Sequence, residues 1–189
     1  MEEKTLIEKL KSNDENSFRI LVDLFKKKVF NTSLSIIQNI DDADDISQDV
    51  FIQIFKSINK FKGNSSLSTW VYKITISKSF EYIRYKKRKK RFSTLLKLFR
   101  EDGSIIDIPD FVHPGILLER KEDSKLLFEA IEKLNQYQKQ AYILKNITGL
   151  SYKEIGEVMN KTTSSIESLI FRAKRNLKKE LIKKMDNKK

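Results

Sequence analysis

Apolar residues recur every three or four positions along most of the chain, which is the spacing of α-helices. In the first half, this pattern predicts a helix capped by Asp14 or Asn16, a second helix that begins in the acidic run 41–45, and a third that begins near 66–68. The most strand-like run, 75–77, lies inside a helical period. The pattern therefore predicts an all-α fold.

A helix-turn-helix is predicted near the C-terminus. Ser151 and Glu154 form a capping box that starts a short helix, and Asn160 tolerates the left-handed conformation that ends it. Thr162 or Ser164 can then cap a second helix. Its apolar positions are Ile166, Leu169, Ile170, Ala173, Leu177 and Leu181. Polar and cationic residues on the opposite side suit the DNA major groove, and an ordinary helical hairpin with a solvated basic face is the alternative.

Composition narrows the class of partner. The 189 residues carry a formal net charge of +12, which favours a polyanion, either nucleic acid or an anionic membrane surface. No stretch reaches the roughly 20 apolar residues that span a bilayer, and the N-terminus lacks a secretory apolar segment. The absence of cysteine excludes disulfides, and a single histidine, His113, argues against zinc. We expect a soluble, cytoplasmic protein that binds nucleic acid and needs no cofactor and no metal.

The chain divides near its middle. Both prolines and two of the five glycines fall between residues 101 and 115, in a locally acidic segment. Proline ends helices, so this segment indicates a flexible linker between two small helical domains. We place the first domain at 1–96, the linker at 97–122 and the helix-turn-helix domain at 123–189. The acidity of the linker is either plain solvation or competition with nucleic acid for basic patches.

The second predicted helix has two distinct faces. Its apolar stripe consists of Ile46, Val50, Phe51, Ile54, Phe55 and Ile58. Its exposed polar face consists of Asp42, Asp45, Gln48, Asp49 and Gln53. This face is either a protein-docking surface or a set of carboxylates that favours the helix N-terminus. A magnesium site at Asp42, Asp45 and Asp49 is a weaker alternative, because carboxylates on one side of one helix diverge.

The third predicted helix and the loop before it mix aromatic and cationic residues. The aromatic ones are Trp70, Tyr72, Phe80, Tyr82 and Tyr85, interleaved with Lys62, Lys73, Lys78 and Arg84. Such a mixture suits stacking on unpaired bases. Trp70, Tyr72 and Phe80 cannot all face solvent on one helix, so we expect at least one of them to be core. In the run 84–91, seven of eight residues are cationic, which indicates phosphate binding or a solubilising helix end.

Taken together, the motifs resemble a known family. The blocks 42–51, 61–63 and 68–74, followed by the basic run, resemble the core domain of bacterial sigma factors. The blocks 150–155, 166–168 and 171–174 resemble the second DNA-binding domain of the same family. The resemblance covers 14–91 and 125–181 in the expected order, and the short linker is similar to that of the small extracytoplasmic-function group.

The resemblance implies three binding surfaces and no catalysis. Docking on the clamp helices of core RNA polymerase would use Asp45, Gln48, Asp49 and Gln53. Capture and melting of the minus-ten element of promoter DNA would use Lys62, Asn64, Ser65, Trp70, Tyr72, Lys73, Arg84, Lys87 and Arg88. Reading of the duplex minus-thirty-five element would use Ser151, Lys153, Thr163, Ser164, Ser165, Glu167, Ser168, Arg172 and Arg175. The family often pairs with an anti-sigma protein, so such a partner is a further expectation, whereas a small-molecule substrate is not expected.

One departure from the family affects specificity. Many relatives carry Lys, Arg and His in the recognition helix, where this chain has Glu167, Leu169 and Phe171. Glutamate can accept a hydrogen bond from cytosine N4, so base recognition with an altered preference is expected. Two other readings stay open, a free-standing helix-turn-helix regulator and a metal-dependent nucleic-acid enzyme. The first leaves the segment 41–91 without a purpose, and the second depends on the carboxylates at 42, 45 and 49.

Overall fold

The computed structural model describes the backbone of residues 2–98 and 121–186, and the side chains of 2–89 and 126–184. These ranges contain eight α-helices, one 3₁₀ turn and no strand, which confirms the all-α prediction. The helices are α1 Glu3–Lys11, α2 Glu15–Ile37, α3 Ile40–Ser57, α4 Leu67–Leu98, α5 Lys121–Glu132, α6 Gln136–Asn146, α7 Tyr152–Met159 and α8 Thr163–Asp186. The proline-containing segment 101–115 lies outside the described residues.

Side-chain caps fix where several of these helices begin. Asp14, one of the two predicted candidates, caps α2 by accepting a hydrogen bond of 2.7 Å from the Ser17 amide. Asn39 caps α3 in the same way from the Asp42 amide, and Asn135 caps α6. These bonds satisfy amides that have no partner within the helix.

Helices α1 to α4 enclose the first core. Its buried residues are Leu6, Leu10, Leu21, Phe25, Val29, Ile46, Val50, Ile54, Ile58, Phe61, Leu67 and Val71. Helix α1, which the apolar pattern did not single out, also supplies the Glu3 carboxylate that accepts a hydrogen bond of 3.0 Å from the Leu67 amide at the start of α4. This contact fixes the end of the loop that precedes α4.

Phe55 departs from the predicted apolar stripe. The other five stripe residues are buried or half-buried, whereas Phe55 is 50% exposed. Its ring meets that of Phe18 edge-on, at a centroid distance of 5.3 Å. The assignment of Phe55 to the core was therefore wrong, because the stripe is wider than the surface that α2 covers.

The second core joins the two halves of the chain. It contains Ile36, Tyr72, Ile76 and Phe80 from the first half, packed with Phe128, Ile131, Ile143, Leu144, Ile155, Ile166 and further apolar residues of the second half. Consequently α7 lies against α4, and α6 lies against the end of α2. In the described ranges, no helix is both long enough and apolar enough to cross a membrane.

Candidate nucleic-acid and protein interfaces

Helices α7 and α8 form the predicted helix-turn-helix. The Ser151 amide donates to Glu154 Oε2 at 2.8 Å, and the Glu154 amide donates to Ser151 Oγ at 3.3 Å, which is the predicted capping box. Because Ser151 donates to the Glu154 carboxylate, the pKa of Glu154 is held below its usual value. Asn160 ends α7 with a φ of 54°, and Thr162, not Ser164, caps α8.

The outward side of α8 carries the candidate base-reading residues. Thr163, Ser164, Glu167, Ser168, Arg172 and Arg175 are exposed, as is Lys153 on α7, and Ser165 is half-buried. A shallow concavity on this face is lined by Glu167, Ser168, Phe171, Arg172 and Arg175. Ser151 is also exposed, but its hydroxyl donates to Glu154 at 2.6 Å.

Two residues of α8 at which this chain differs from many relatives have different structural roles. Leu169 packs against the second core, so it cannot read DNA. Phe171 is 68% exposed and lies in the concavity beside Glu167 and Arg175. Sequence reasoning noticed Phe171 only as a departure and did not assign it to the site, although an aromatic residue on a cationic face was a usable signal.

The loop before α4 forms a second candidate surface. Gly63 adopts a φ of 72°, which a side chain would strain, and it turns the chain so that Lys62 and Asn64 are exposed. Ser65 and Trp70 are half-buried, and the Trp70 ring stands 5.0 Å from that of Phe61. A cavity of about 380 Å³ is lined by Lys60, Phe61, Lys62, Asn64, Ser65, Thr69, Trp70, Lys73, Glu157 and Asn160.

The aromatic residues of α4 separate into core and surface. Tyr72 and Phe80 are each only 4% exposed, and they belong to the second core. Burial raises the pKa of the Tyr72 hydroxyl, and the nearby Glu154 carboxylate adds to this shift. The structure thus places Tyr72 apart from Trp70 and Lys73, because α7 covers it. The expectation that at least one of these aromatics is core is confirmed.

The basic part of α4 is largely solvent-facing. Arg84, Lys87 and Arg88 are exposed. Lys86, in contrast, pairs with Asp42 at the start of α3 and lies over the Tyr82 ring at 5.2 Å. The run 84–89 is therefore a cationic surface joined to α3 by one ion pair, while the side chains of 90 and 91 lie outside the described residues.

Helix α3 presents the predicted acidic face. Asp45, Gln48 and Asp49 are exposed and Gln53 is half-buried. Gln48 donates a hydrogen bond of 3.0 Å to Asp44. Ile52, 51% exposed, adds an apolar patch between these polar residues and Phe55. Among the described side chains, no group of three carboxylates or histidines is arranged to hold a metal ion.

Two family comparisons match the two halves of the chain. Residues 21–89 match sigma-70 region 2, and residues 124–177 match sigma-70 region 4. The RNA polymerase sigma factor SigW of Bacillus subtilis is 29% identical over 94% of this chain and 96% of that protein. The sigma-E factor of Haemophilus influenzae is 27% identical over 95% of both chains. Both relatives are extracytoplasmic-function (ECF) factors.

Two solved structures have the same fold, and one of them is a sigma factor. The sigma factor RpoE of Bartonella quintana, solved with the anti-sigma factor NepR, has a TM-score of 0.68 at 20% identity and covers 87% of this chain. CnrH, solved with the cytosolic domain of CnrY, has a TM-score of 0.67 at 17% identity and covers 95% of this chain. Each alignment covers 96% of the solved chain.

The fold and its surfaces define a two-domain helical protein with a helix-turn-helix in its second half. The chain belongs to the ECF sigma factors of the sigma-70 family, and its function is to direct transcription initiation. Sigma factors are not a class of enzymes, and the comparisons favour neither the free-standing regulator nor the metal-dependent enzyme.

Proposed function

We propose that this sigma factor docks on core RNA polymerase through α3, using Asp45, Gln48, Asp49 and Gln53. What supports this is that three of these four residues are exposed on one side of the helix without a cationic partner in the described contacts. Exposed Ile52 and Phe55 lie on the same helix and would supply apolar contact area. A polar face with an apolar centre is typical of protein interfaces.

For the minus-ten element, we propose that the loop 61–65 and the start of α4 hold unpaired bases. Trp70 offers a ring for stacking, Asn64 and Ser65 offer hydrogen-bonding groups, and Lys62 and Lys73 offer charge for phosphates. Arg84, Lys87 and Arg88 continue the cationic surface along the same helix. Tyr72 can join this site only when α7 moves away from it.

For the minus-thirty-five element, we propose that α8 enters the major groove. Thr163, Ser164, Ser165, Glu167, Ser168 and Arg172 would face base edges, and Arg175 would meet phosphate, with Ser151 and Lys153 at the edge of the groove. Phe171 extends this set, because an exposed ring suits the thymine methyl group. The concavity that unites Glu167, Phe171 and Arg172 on α8 supports this proposal.

We further propose the domain division 1–96, 97–122 and 123–189, an action in the cytoplasm, and no catalytic activity of the chain itself. An anti-sigma protein is a proposed partner, because the structurally similar sigma factor RpoE was solved with the anti-sigma factor NepR. The single observation that carries the functional proposal is the presence, in order, of sigma-70 regions 2 and 4 over exposed acidic and cationic surfaces.

Run-off transcription with core polymerase on a promoter library tests this function. A sigma factor yields transcripts from a subset of promoters only when core enzyme and this chain are both present. A free-standing regulator would bind DNA without retaining core enzyme, and a metal-dependent enzyme would cleave nucleic acid when magnesium is added. Either of those results, in place of promoter-specific transcripts, would contradict the proposal.

A further inference from the structure

The first turn of α4 is capped from two different elements. Ser66 precedes the helix, and its hydroxyl accepts a hydrogen bond of 3.1 Å from the Thr69 amide. Glu3, which lies 64 positions before Leu67 on α1, accepts a hydrogen bond of 3.0 Å from the Leu67 amide. These amides have no partner within the helix, and a carboxylate also suits the positive end of the helix dipole. Glu3 is therefore a cap for α4 that a distant helix supplies.

Helix α1 is held in place by its apolar side. Leu6 and Leu10 are each 4% exposed and belong to the first core. The same helix contacts the 3₁₀ turn Ile58–Lys60, which immediately precedes the loop 61–65. Helix α1 therefore holds the chain on both sides of this loop, by packing before it and by the Glu3 hydrogen bond after it.

The loop between these two anchors is the proposed site for unpaired bases, and its own hydrogen bonds do not fix it. None of the backbone amides of 62–66 donates to another described residue. Gly63, with a φ of 72°, has no side chain that would restrict its backbone. Trp70 lies in the first turn of α4, and its amide donates to the Ser66 carbonyl at 3.1 Å. The positions of the loop and of Trp70 therefore depend on how firmly this turn is held.

We infer that Glu3 is a positioning residue of the minus-ten surface. It touches no DNA, but by capping α4 it fixes the direction in which the loop 61–65 and Trp70 meet unpaired bases. This inference rests on the proposed function, because it concerns the same surface. Loss of the cap lets the first turn of α4 fray, and only the ordered fraction of the chains is then competent to bind. The apparent affinity for unpaired bases falls in proportion to that fraction.

Three variants of the full chain separate this role from charge and from general stability. Glu3→Ala removes the acceptor, whereas Glu3→Gln removes the charge and keeps a side-chain oxygen that can accept from the Leu67 amide. Glu8→Ala is the matched control, because it makes the same change at an exposed position of the same helix. Glu3 is also exposed, so all three variants should fold.

The cap itself is measured by hydrogen exchange of the backbone amides in the free chain. The Leu67 amide should exchange about fivefold faster in Glu3→Ala than in the unaltered protein, the factor that corresponds to the usual ~1 kcal/mol of a helix cap. Its exchange rate should be unchanged in Glu8→Ala and close to unchanged in Glu3→Gln. Equal exchange of Leu67 in Glu3→Ala and in the unaltered chain would overturn the inference.

The consequence for DNA is measured with core polymerase and a promoter that the unaltered chain transcribes in the run-off experiment. Permanganate reactivity of unpaired thymines reports melting, and separate assays report the affinities for core polymerase and for a duplex that contains only the minus-thirty-five element. Glu3→Ala should lower the equilibrium constant for melting about fivefold, with both affinities unchanged. Glu3→Gln and Glu8→Ala should melt the promoter as the unaltered protein does.

Three results of the promoter experiment would contradict this role of Glu3. Normal melting with Glu3→Ala would show that the cap does not position the surface. Equal losses in melting and in both affinities would show only a general contribution to the fold, and equal impairment of Glu3→Gln would assign the effect to charge. Failure of the proposed function is distinct, because the unaltered chain then yields no promoter-specific transcript. The inference falls with it in that case, even where the exchange of Leu67 shows the cap.

Discussion

Glu167 is a carboxylate in the middle of a cationic helix face, with Arg172 and Arg175 lining the same concavity. Near DNA this carboxylate repels phosphate, unless it accepts a hydrogen bond from a donor such as cytosine N4. Glu167→Ala should therefore relax base preference at one position of the upstream element, with overall affinity unchanged or higher. Binding to a randomised upstream element measures this.

The contrasting change is Lys178→Ala with Lys179→Ala, two exposed residues further along α8. This pair should lower affinity for every sequence alike and flatten the salt dependence, because phosphate contacts carry no base information. Unaltered base preferences in Glu167→Ala would show that Glu167 is only a surface carboxylate.

Ser151 stabilises α7 through the capping box. Ser151→Ala should reduce the free energy of unfolding by about 1 kcal/mol, the usual value of a cap. The pH dependence should change as well. The pKa of Glu154 is lowered from 4.5 in the folded chain, so its contribution is present above that value and is lost as the pH falls through the lower one.

Denaturant unfolding at neutral pH and at pH values below 4.5 measures both effects. In Ser151→Ala, less stability should be lost on acidification, because the hydroxyl bond, the larger of the two bonds that lower the pKa of Glu154, is absent while the bond from the amide remains. An equal acid loss in the variant and the unaltered protein would show that the capping box does not set the titration of Glu154.

At the scale of the helix, α3 offers the sharpest test of polymerase docking. Asp45→Lys with Asp49→Lys should weaken core-polymerase binding by on the order of a hundredfold or more, since like charges replace complementary ones at an interface. The matched control is Glu15→Lys with Asp23→Lys, two exposed carboxylates on α2. Affinity is measured with labelled chain and core enzyme, and circular dichroism checks helicity. If the control and the variant bound core polymerase equally well, α3 would not be part of the docking surface.

Gly156 tests the packing within the helix-turn-helix. A Cβ at this position would stand 2.7 Å from the Lys161 carbonyl oxygen, which belongs to the turn backbone and cannot rotate away. Gly156→Ala should destabilise the chain by about 1–3 kcal/mol despite its better helix propensity. Thermal unfolding of Gly156→Ala measures this loss of stability, with Lys153→Ala, an exposed change on α7, as the control. Equal stability of the two variants would mean that the turn relaxes without cost.

The elements that sequence predicted well are those whose signals are local. Asp14, Ser151 and Asn160 act on amides and dihedrals within a few residues of themselves, so a short window contains the whole interaction. Phe55 shows where such reasoning ends. The helical period assigns Phe55 to the apolar side of α3. Whether α2 covers that position depends on how the two helices cross.

At the scale of the whole molecule, the two halves of the chain make contacts that no local sequence pattern contains. Apolar residues such as Ile76 on α4 and Ile155 on α7 fit the core of their own domain as well as a shared one, so their spacing could not predict that they meet. Lys139 reads as an ordinary solvated lysine in the sequence, but it is buried where α6 meets the end of α2 and donates a hydrogen bond to the Ile36 carbonyl. The three candidate surfaces could be found from motifs, whereas the core that the two halves share could not.

The shared core also predicts how the chain unfolds. Ile36 and Phe80 of the first half pack with Phe128 and Ile155 of the second, so separating the halves exposes apolar surface on both sides. The unaltered chain should therefore unfold in one calorimetric transition, as a single cooperative unit does. Lys139→Glu places a carboxylate where a cation met the Ile36 carbonyl, so its halves should part and unfold in two transitions.

The control for this experiment is Lys133→Glu, which makes the same charge change at an exposed position beside α6 and should retain the single transition. Scanning calorimetry measures the number of transitions directly. Two transitions in the unaltered chain would mean that the halves are thermodynamically independent despite their contact. One transition in Lys139→Glu would mean that the other contacts between the halves couple them without the buried lysine.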